Sequence, residues 1–460
     1  MIRINQIPLQ LNEPESKLKL LAAKVLKVEP AQVSQLRIAK KAVDARKKDS
    51  ICFIYSVEVE IEPPANSKIS KQAYAEKLVA KAKNPQISLV KPYTYILPQA
   101  KPQTIPPIVV GAGPAGLFAA LLLAQAGLKP VLLERGKPTA ERLKDVHAFW
   151  QTGRLNPASN VQFGEGGAGA FSDGKLTTNT KDPRNRKVLQ ELIAAGAPPE
   201  IGYLAKPHIG TDKLIPVVQA LREKIIALGG SVFFEHQLSA LHLQKNRLYG
   251  ISVQTPAGEK EMEARQLILA IGHSARDTYR MLAQAGIAMQ PKPFSLGARI
   301  EHSQKAINRS QYGAFAEHPA LGAADYKLFC HLPNGRTAYT FCMCPGGVVV
   351  AAASQEGGVV TNGMSYHNRG GKNANSALLV SVEPNDFPSD DPLAGMLLQE
   401  KAEQAAFHLG GGSYKAPCQL VGDFLANRPS AAFGNVQPTY KPGVILGDIA
   451  PCLPDFVTES

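Results

Sequence analysis

The segment from Ile108 to Glu134 constrains this chain more than any other. Ile108-Val109-Val110 is a β-branched run. Gly111, Gly113 and Gly116 follow as GxGxxG, then an apolar helix (LFAALLLAQAG) and a second strand (PVLLERG) that ends at Glu134. Alone the glycine spacing is weak; strand, turn, helix and strand in this order make it a dinucleotide fingerprint. Gly111 permits the tight turn. Gly113 leaves room for a pyrophosphate, and Gly116 lets helix and strand approach closely. The helix start, with Pro114 and Ala115, offers free N–H groups and a positive dipole end to phosphate. Glu134 is the expected acceptor for both ribose hydroxyls, which disfavours a 2′-phosphate there.

The same spacing recurs at Gly164-Glu165-Gly166-Gly167-Ala168-Gly169. NPASNVQF before it is a poor strand, and AFSDGKL after it opens no apolar helix. We therefore expect no second dinucleotide fold, so the chain does not read as a reductase with separate FAD and NAD domains.

At 460 residues, the chain is long enough for two or three domains. Its 44% hydrophobic and 19% charged residues fit a globular protein with a substantial core. Six cysteines occur without a CxxC pair, so neither a zinc ribbon nor a dithiol motif is written, and no metal site is expected. The N-terminus has no apolar segment of the signal-peptide kind. The most apolar stretch, residues 108–128, is broken by Gly and Pro, so no membrane span is expected and the location expected is cytoplasmic. There is no HExxH, nucleophile elbow or P-loop lysine to support a hydrolase or an NTPase.

Net charge is +13, unevenly spread: residues 1–101 hold 18 Lys and Arg against 9 Asp and Glu. That segment is a candidate nucleic-acid contact or a merely solubilising surface. The expected layout is a small basic α/β domain (1–62), a linker with a short helix (63–107), a Rossmann-like domain (108–290), a β-rich substrate domain (291–440) and a return segment (441–460).

Two features favour FAD over NAD. Glu134-Arg135-Gly136 follows the fingerprint in a pattern familiar from flavoproteins. The strand QLILAIGHSA then returns at Ala270-Ile271-Gly272 after a β-rich excursion over residues 231–260. In the glutathione-reductase type of flavoprotein, such a strand closes the FAD domain. The fold class expected is therefore α/β: a Rossmann-like FAD-binding domain of that type, an inserted β-rich substrate domain and a small N-terminal domain. The expected cofactor set is Gly111, Gly113, Pro114, Ala115, Gly116, Glu134, Arg135, Gly166, Gly167 and Gly272.

The chain resembles a family of bacterial and plant FAD-dependent oxidoreductases described as dehydrogenases. The segments that carry this are VVGAGPAGLFAALLLAQAGLKPVLLERG, NVQFGEGGAGAFSDGKLTT, the stretch FCMCPGGVVVAAASQEGGVVTNGMSYHNRGG and GVILGDIAPCLPDFVTE. The resemblance implies a further helix and a glycine-rich segment that closes the flavin site, whereas the sequence stops at Ser460; the expectation is a chain lacking that segment. It also implies that the loop Gln162–Lys175 faces the flavin, with Lys175 stabilising negative charge on the reduced ring. The bland reading of Lys175 is a solvated surface residue.

Cys342 and Cys344, in a CxC, are either redox thiols or two small buried hydrophobes; strand alternation would place both on one face. Thr211 or Asp212 is a candidate helix cap. His208, His273, Ser274 and Arg369 are candidate substrate contacts or plain turn residues. The expected activity is transfer of a hydride or electron pair through flavin N5, with an unknown small-molecule substrate or redox partner. The alternatives are a flavoprotein acting on nucleic acid and a non-catalytic flavin-binding fold.

Overall fold

The computed structural model describes residues 1–178 and 180–460. The chain divides into two compact units. The first comprises Met1–Ile96, Lys175–Ile209 and Lys305–Ala324; the second comprises Leu97–Gly174, Gly210–Gln304 and Asp325–Ser460.

In the first unit the elements run β1 (Ile2–Gln10), α1 (Lys17–Leu26), β2 (Val33–Asp44), β3 (Cys52–Ile61), α2 (Lys71–Ala82) and β4 (Ile87–Leu89). The sheet order is β2-β3-β1-β4, with antiparallel neighbours, the βαββαβ arrangement of ferredoxin-like folds. Ile2 and Ile4 of β1 point into the core, and so do Ile7 and Leu9. Simple alternation would turn the second pair outward. A bulge between Ile4 and Ile7, with Gln6 at φ +59°, absorbs the odd residue and keeps all four inside. Tyr55, Val57 and Val59 of β3 and Leu18 and Ala22 of α1 complete this core.

On the other face, Arg3, Glu58 and Arg37 stand side by side across β1, β3 and β2, with Glu58 buried and paired to both arginines. Segments expected further along the chain also belong to this unit. Residues 203–205 hydrogen-bond to Lys41 at the edge of β2, and Leu321 joins the core. The stretch expected as a linker supplies β4.

The second unit carries a four-stranded parallel sheet: β5 (Ile108–Val110), β6 (Val131–Leu133), β7 (Ser231–Phe233) and β11 (Leu267–Leu269), ordered β11-β5-β6-β7. Between β7 and β11 lies an antiparallel three-stranded sheet of β8 (Gln237–Gln244), β9 (Arg247–Thr255) and β10 (Gly258–Glu263). Helix α3 (Pro114–Gln125) joins β5 to β6 and buries Leu117, Ala120, Leu121 and Ala124. Such all-round apolarity suits a helix packed inside a domain. Helix α4 (Thr139–Thr152) follows β6.

A second antiparallel sheet in this unit contains β12 (Phe294–Ser303), β13 (Phe329–His331) and β14 (Thr337–Cys344). The ribbon of β15 (Val348–Ala351) and β16 (Thr361–Met364) comes next, then β17 (Asn373–Val382). The sheet order is β12-β17-β14-β13. Phe149 and Trp150 of α4 anchor the ribbon, Trp150 Nε1 donating to the Ala351 carbonyl at 2.9 Å. Among the described residues, no helix is long and apolar enough to cross a membrane.

Alternation fails at the end of β14. A bulge lies between Phe341 and Cys344 in the pairing with β17, and Cys342 sits at φ +46°. Met343 and Cys344 are both buried, while Cys342 is only partly so. The expectation that period two would place both thiols on one face is thus corrected, because the extra residue breaks the period.

Candidate functional site

A cavity of about 520 Å³ opens in the second unit at the C-terminal ends of β5, β6 and β11. Ligands in open parallel α/β sheets bind at this end. Local backbone chemistry shapes its floor. Gly111 has φ +101°, and a Cβ there would lie 2.4 Å from the Ala270 carbonyl oxygen. A Cβ on Gly116 would lie 1.7 Å from the Gly111 oxygen, so the first turn of α3 fits against the strand end only as glycine. A Cβ on Gly113, in contrast, would meet nothing nearer than the Gly167 Cα at 3.8 Å. No side chain caps the N-terminus of α3. Its first N–H groups are therefore left for a ligand.

Glu134 is buried at the end of β6 and organises the site. Its Oε2 accepts from Ala112 N at 2.7 Å; its Oε1 accepts from Gly136 N at 2.9 Å and Gly164 N at 3.0 Å. The sequence points to Glu134 as a ribose acceptor. The structure adds that it already clasps the first glycine turn, its own strand end and the second glycine loop. A carboxylate has about four acceptor positions, so one stays available to a hydroxyl.

The second loop is held by a residue that carries no motif. Arg142 of α4 is fully buried and donates to three backbone carbonyls: Asn160 at 2.8 Å, Val161 at 3.0 Å and Glu165 at 2.7 Å. Its guanidinium also lies 4.8 Å from the centre of the Phe171 ring. Burial pushes its pKa down to about 10, with Glu134 and Glu165 opposing that shift. The loop then lies on the fingerprint, Gly166 N donating to the Ala112 carbonyl at 2.8 Å.

Arg135 forms part of the wall. It pairs with Asp277 at 2.9 Å and Thr278 at 2.8 Å, and stacks 4.4 Å over the Phe163 ring. Burial alone would raise the pKa of Asp277; pairing with Arg135, the Thr278 amide and Gln237 together bring it below the usual carboxylate value.

Of the ten cofactor residues expected from sequence, Gly111, Gly113, Pro114, Ala115, Glu134, Arg135, Gly167 and Gly272 line this cavity. Gly116 and Gly166 stand behind it. His273 and Ser274 are also in the wall. Lys175 is not; it belongs to the first unit, in an isolated bridge with His208. Cys342 and Cys344 do not line it either. Arg369 is bonded to Asp173 through Nε and Nη2, so its charge is already matched. Neither Thr211 nor Asp212 caps its helix: Thr211 Oγ1 donates to the Ser172 carbonyl and Asp212 accepts from His367 N. Sequence reasoning missed Arg142 and Asp277; Phe163 falls inside the expected loop Gln162–Lys175 but was not singled out. A lone arginine on an amphipathic helix gives no signal, and Asp277 lies 142 positions from its partner.

Family models match three stretches of the chain. Residues 104–146 match an FAD binding domain, residues 293–460 match the C-terminal domain-like region of FAD-dependent proteins, and residues 1–60 match a domain of unknown function. A protein of Clostridium beijerinckii (strain ATCC 51743 / NCIMB 8052), described as uncharacterized, is 48% identical over all 460 residues, and the alignment covers 84% of that protein. The chain belongs to the FAD-dependent oxidoreductase family.

Two solved structures show partial likeness to this oxidoreductase. The anhydrotetracycline hydroxylase of Streptomyces rimosus is 15% identical, with a TM-score of 0.30, over 61% of this chain and 46% of that one. The glycerol-3-phosphate dehydrogenase of Bacillus halodurans complexed with FAD is 9% identical, with a TM-score of 0.28, over 60% of this chain and 47% of that one. The chain thus spans about half the length of either. The cofactor of this oxidoreductase is FAD. The residues fit that group: the uncapped helix start, the open space at Gly113 and the buried carboxylate of Glu134 suit a pyrophosphate flanked by a ribose.

Proposed function

We propose that this oxidoreductase is a dehydrogenase that exchanges a hydride or electron pair between FAD and a small molecule. The observation that carries the reading is the gathering of eight sequence-expected residues around one cavity. In this reading the ADP half of the cofactor lies there. The start of α3 takes the pyrophosphate, Glu134 takes a ribose hydroxyl with its remaining acceptor position, and the Arg135–Phe163 pair forms a flat wall. Bound FAD supplies a two-electron redox centre; the chain supplies orientation and electrostatics.

The fold reading that goes with it is Rossmann-like and of the glutathione-reductase type. Its support is the return of β11 beside β5 after the β8–β10 excursion. The β-rich stretch from residue 291 is then the substrate side. Lys175, as a stabiliser of negative charge on the reduced flavin, and the two thiols of β14, as redox groups, belong to the proposal only as candidates, with no placement in the cavity to support them. A cytoplasmic setting accompanies it, supported by six cysteines spread along the sequence without a CxxC pair.

The test is the visible spectrum of the purified protein, chromatography of the released cofactor and anaerobic bleaching by a panel of donors. Yellow protein that releases FAD and bleaches with a donor meets the expectation, and Glu134→Gln should lower the flavin bound per chain at least about tenfold. FAD uptake with no bleaching by any donor would leave a flavin-binding fold and end the dehydrogenase reading.

A further inference from the structure

The β12-β17-β14-β13 sheet carries a cation whose charge is matched by no neighbour among the described residues. Arg299 lies on β12, and its Nη1 donates to Asn375 Oδ1 at 2.7 Å. Its Nε is buried with no acceptor, and the Nδ2 of Asn375, a residue with no exposed surface, is also buried with no acceptor. No carboxylate of the described residues forms an ion pair with Arg299. The nearby Glu301 is turned to other partners, accepting from Asn373 Nδ2, Thr439 Oγ1 and Thr439 N.

The unmatched edge has a recognisable geometry. A guanidinium grips a carboxylate side-on through Nε and Nη2. This chain does so at Arg369 with Asp173 and at Arg46 with Asp44. In Arg299 the opposite corner, Nη1, is fixed by Asn375, and on the other edge the buried Nε has no acceptor among the described residues. The two buried groups without an acceptor here are both donors: the guanidinium Nε and an amide NH2.

Gly363 of β16 makes the arrangement possible. A Cβ there would lie 2.4 Å from Asn375 Oδ1, 2.5 Å from Arg299 Nη1 and 2.7 Å from Cys344 Sγ. A buried water could accept from such donors but would leave the positive charge unmatched, and buried charges are normally paired.

The register places Arg299, Ala377 and Phe341 in one row on one face, with Gly297, Leu379 and Tyr339 in the next. That face holds a second cavity of about 470 Å³, walled by Phe294, Tyr339, Phe341 and Leu379. Phe341 is 58% exposed, although large and apolar. Arg299 is not itself in that wall but shares its face and stands in the row of Phe341, so a molecule with a carboxylate at one end and a ring or alkyl body at the other suits the pair of features.

We propose that Arg299 and Asn375 form a carboxylate-binding site, and that the ligand it takes is an organic acid with an apolar body. Naming that acid as the substrate rests on the dehydrogenase reading; the site itself does not. Benzoate is the probe, benzamide its neutral counterpart, and calorimetry on the protein as purified reads binding directly.

Benzoate should bind at least about tenfold more tightly than benzamide. Asn375→Asp sets a carboxylate beside Arg299 and should weaken benzoate at least about tenfold. Arg299→Lys, which keeps the charge but loses the planar edge, should weaken it by a smaller factor than Arg299→Gln. Bound flavin, measured in parallel, should be unchanged in Asn375→Asp, and its thermal transition should not fall below that of wild type. Equal binding of the two probes, unchanged benzoate affinity in Asn375→Asp, or no heat from benzoate up to its solubility would each overturn the site. Selective benzoate binding by protein that fails to bleach with any donor would keep the site and remove only its link to the dehydrogenase.

Discussion

Residues 111–116 and 164–169 share the spacing GxGxxG, yet only the first follows a strand and opens a helix. The second is a short 3-10 turn, Gly167–Phe171, preceded by irregular chain. The first set of glycines solves a packing problem inside one strand–helix unit. The second solves one between segments: a Cβ on Gly164, at φ +121°, would lie 2.4 Å from Arg142 Cδ, and one on Gly167 would lie 3.0 Å from Gly113 Cα. One loop is thus fixed by local secondary structure. The other is fixed by a buried arginine and by Glu134. A spacing pattern becomes a site only through what stands on either side of it.

Three measurements would break or sharpen this contrast. The largest effect is expected for Gly116→Ala. Its new Cβ collides with backbone rather than with a flexible side chain, so the strand–helix unit must shift. Urea unfolding should show a loss of more than about 3 kcal/mol, with flavin lost as well. A stable, yellow variant would mean that the first loop is not locally determined.

Next is Arg142→Met, which fills much of the same volume but leaves three buried carbonyls without their donor. The expected cost is about 2–3 kcal/mol. Limited proteolysis should then cut within residues 156–171 while the α3 region stays protected. Equal protection of both regions would show that Arg142 does not hold the second loop separately.

The smallest effect concerns Asp277, whose carboxylate joins Arg135 of the first region to the wall beside Phe163. Its pKa is lowered in the folded state, so its stabilising contribution is present above the ordinary carboxylate value and is lost as pH falls through the folded one. Wild type and Asp277→Asn should therefore differ in flavin retention by a constant amount above about pH 4, and the difference should fade as pH falls below that. Asp277 is half exposed, so the difference should stay under about 1 kcal/mol by thermal shift. A larger gap would mark Arg135 as central to binding.

Much of the candidate site was legible because its residues act through neighbours in sequence. Gly111, Gly113 and Gly116 are close enough to define one turn, and Glu134 ends the next strand. Helix and strand periods also located α1, β3 and α3. What stayed hidden depends on register and distance. The thiols of β14 looked co-facial until a bulge at Cys342 broke the period. Lys175 sits in a glycine-rich loop that lines the cavity only up to Gly169. Arg369, by sequence either a substrate contact or a turn residue, is held by Asp173, 196 positions away.

Sequence alone specified a dinucleotide-type strand–turn–helix and a flavin rather than nicotinamide cofactor, and it pointed to a β-rich stretch over residues 291–440. These follow from steric rules that act over a few residues: where a Cβ cannot go, and which face of a helix or strand is apolar. Only the tertiary structure decided that residues 175–209 and 305–324 belong with the N-terminal sheet. It alone showed that Arg142 carries the second glycine loop and that Arg299, unlike Arg369, pairs with no carboxylate among the described residues. The reason is that pairing a buried charge depends on which distant segments fold against it, and no local period encodes that choice.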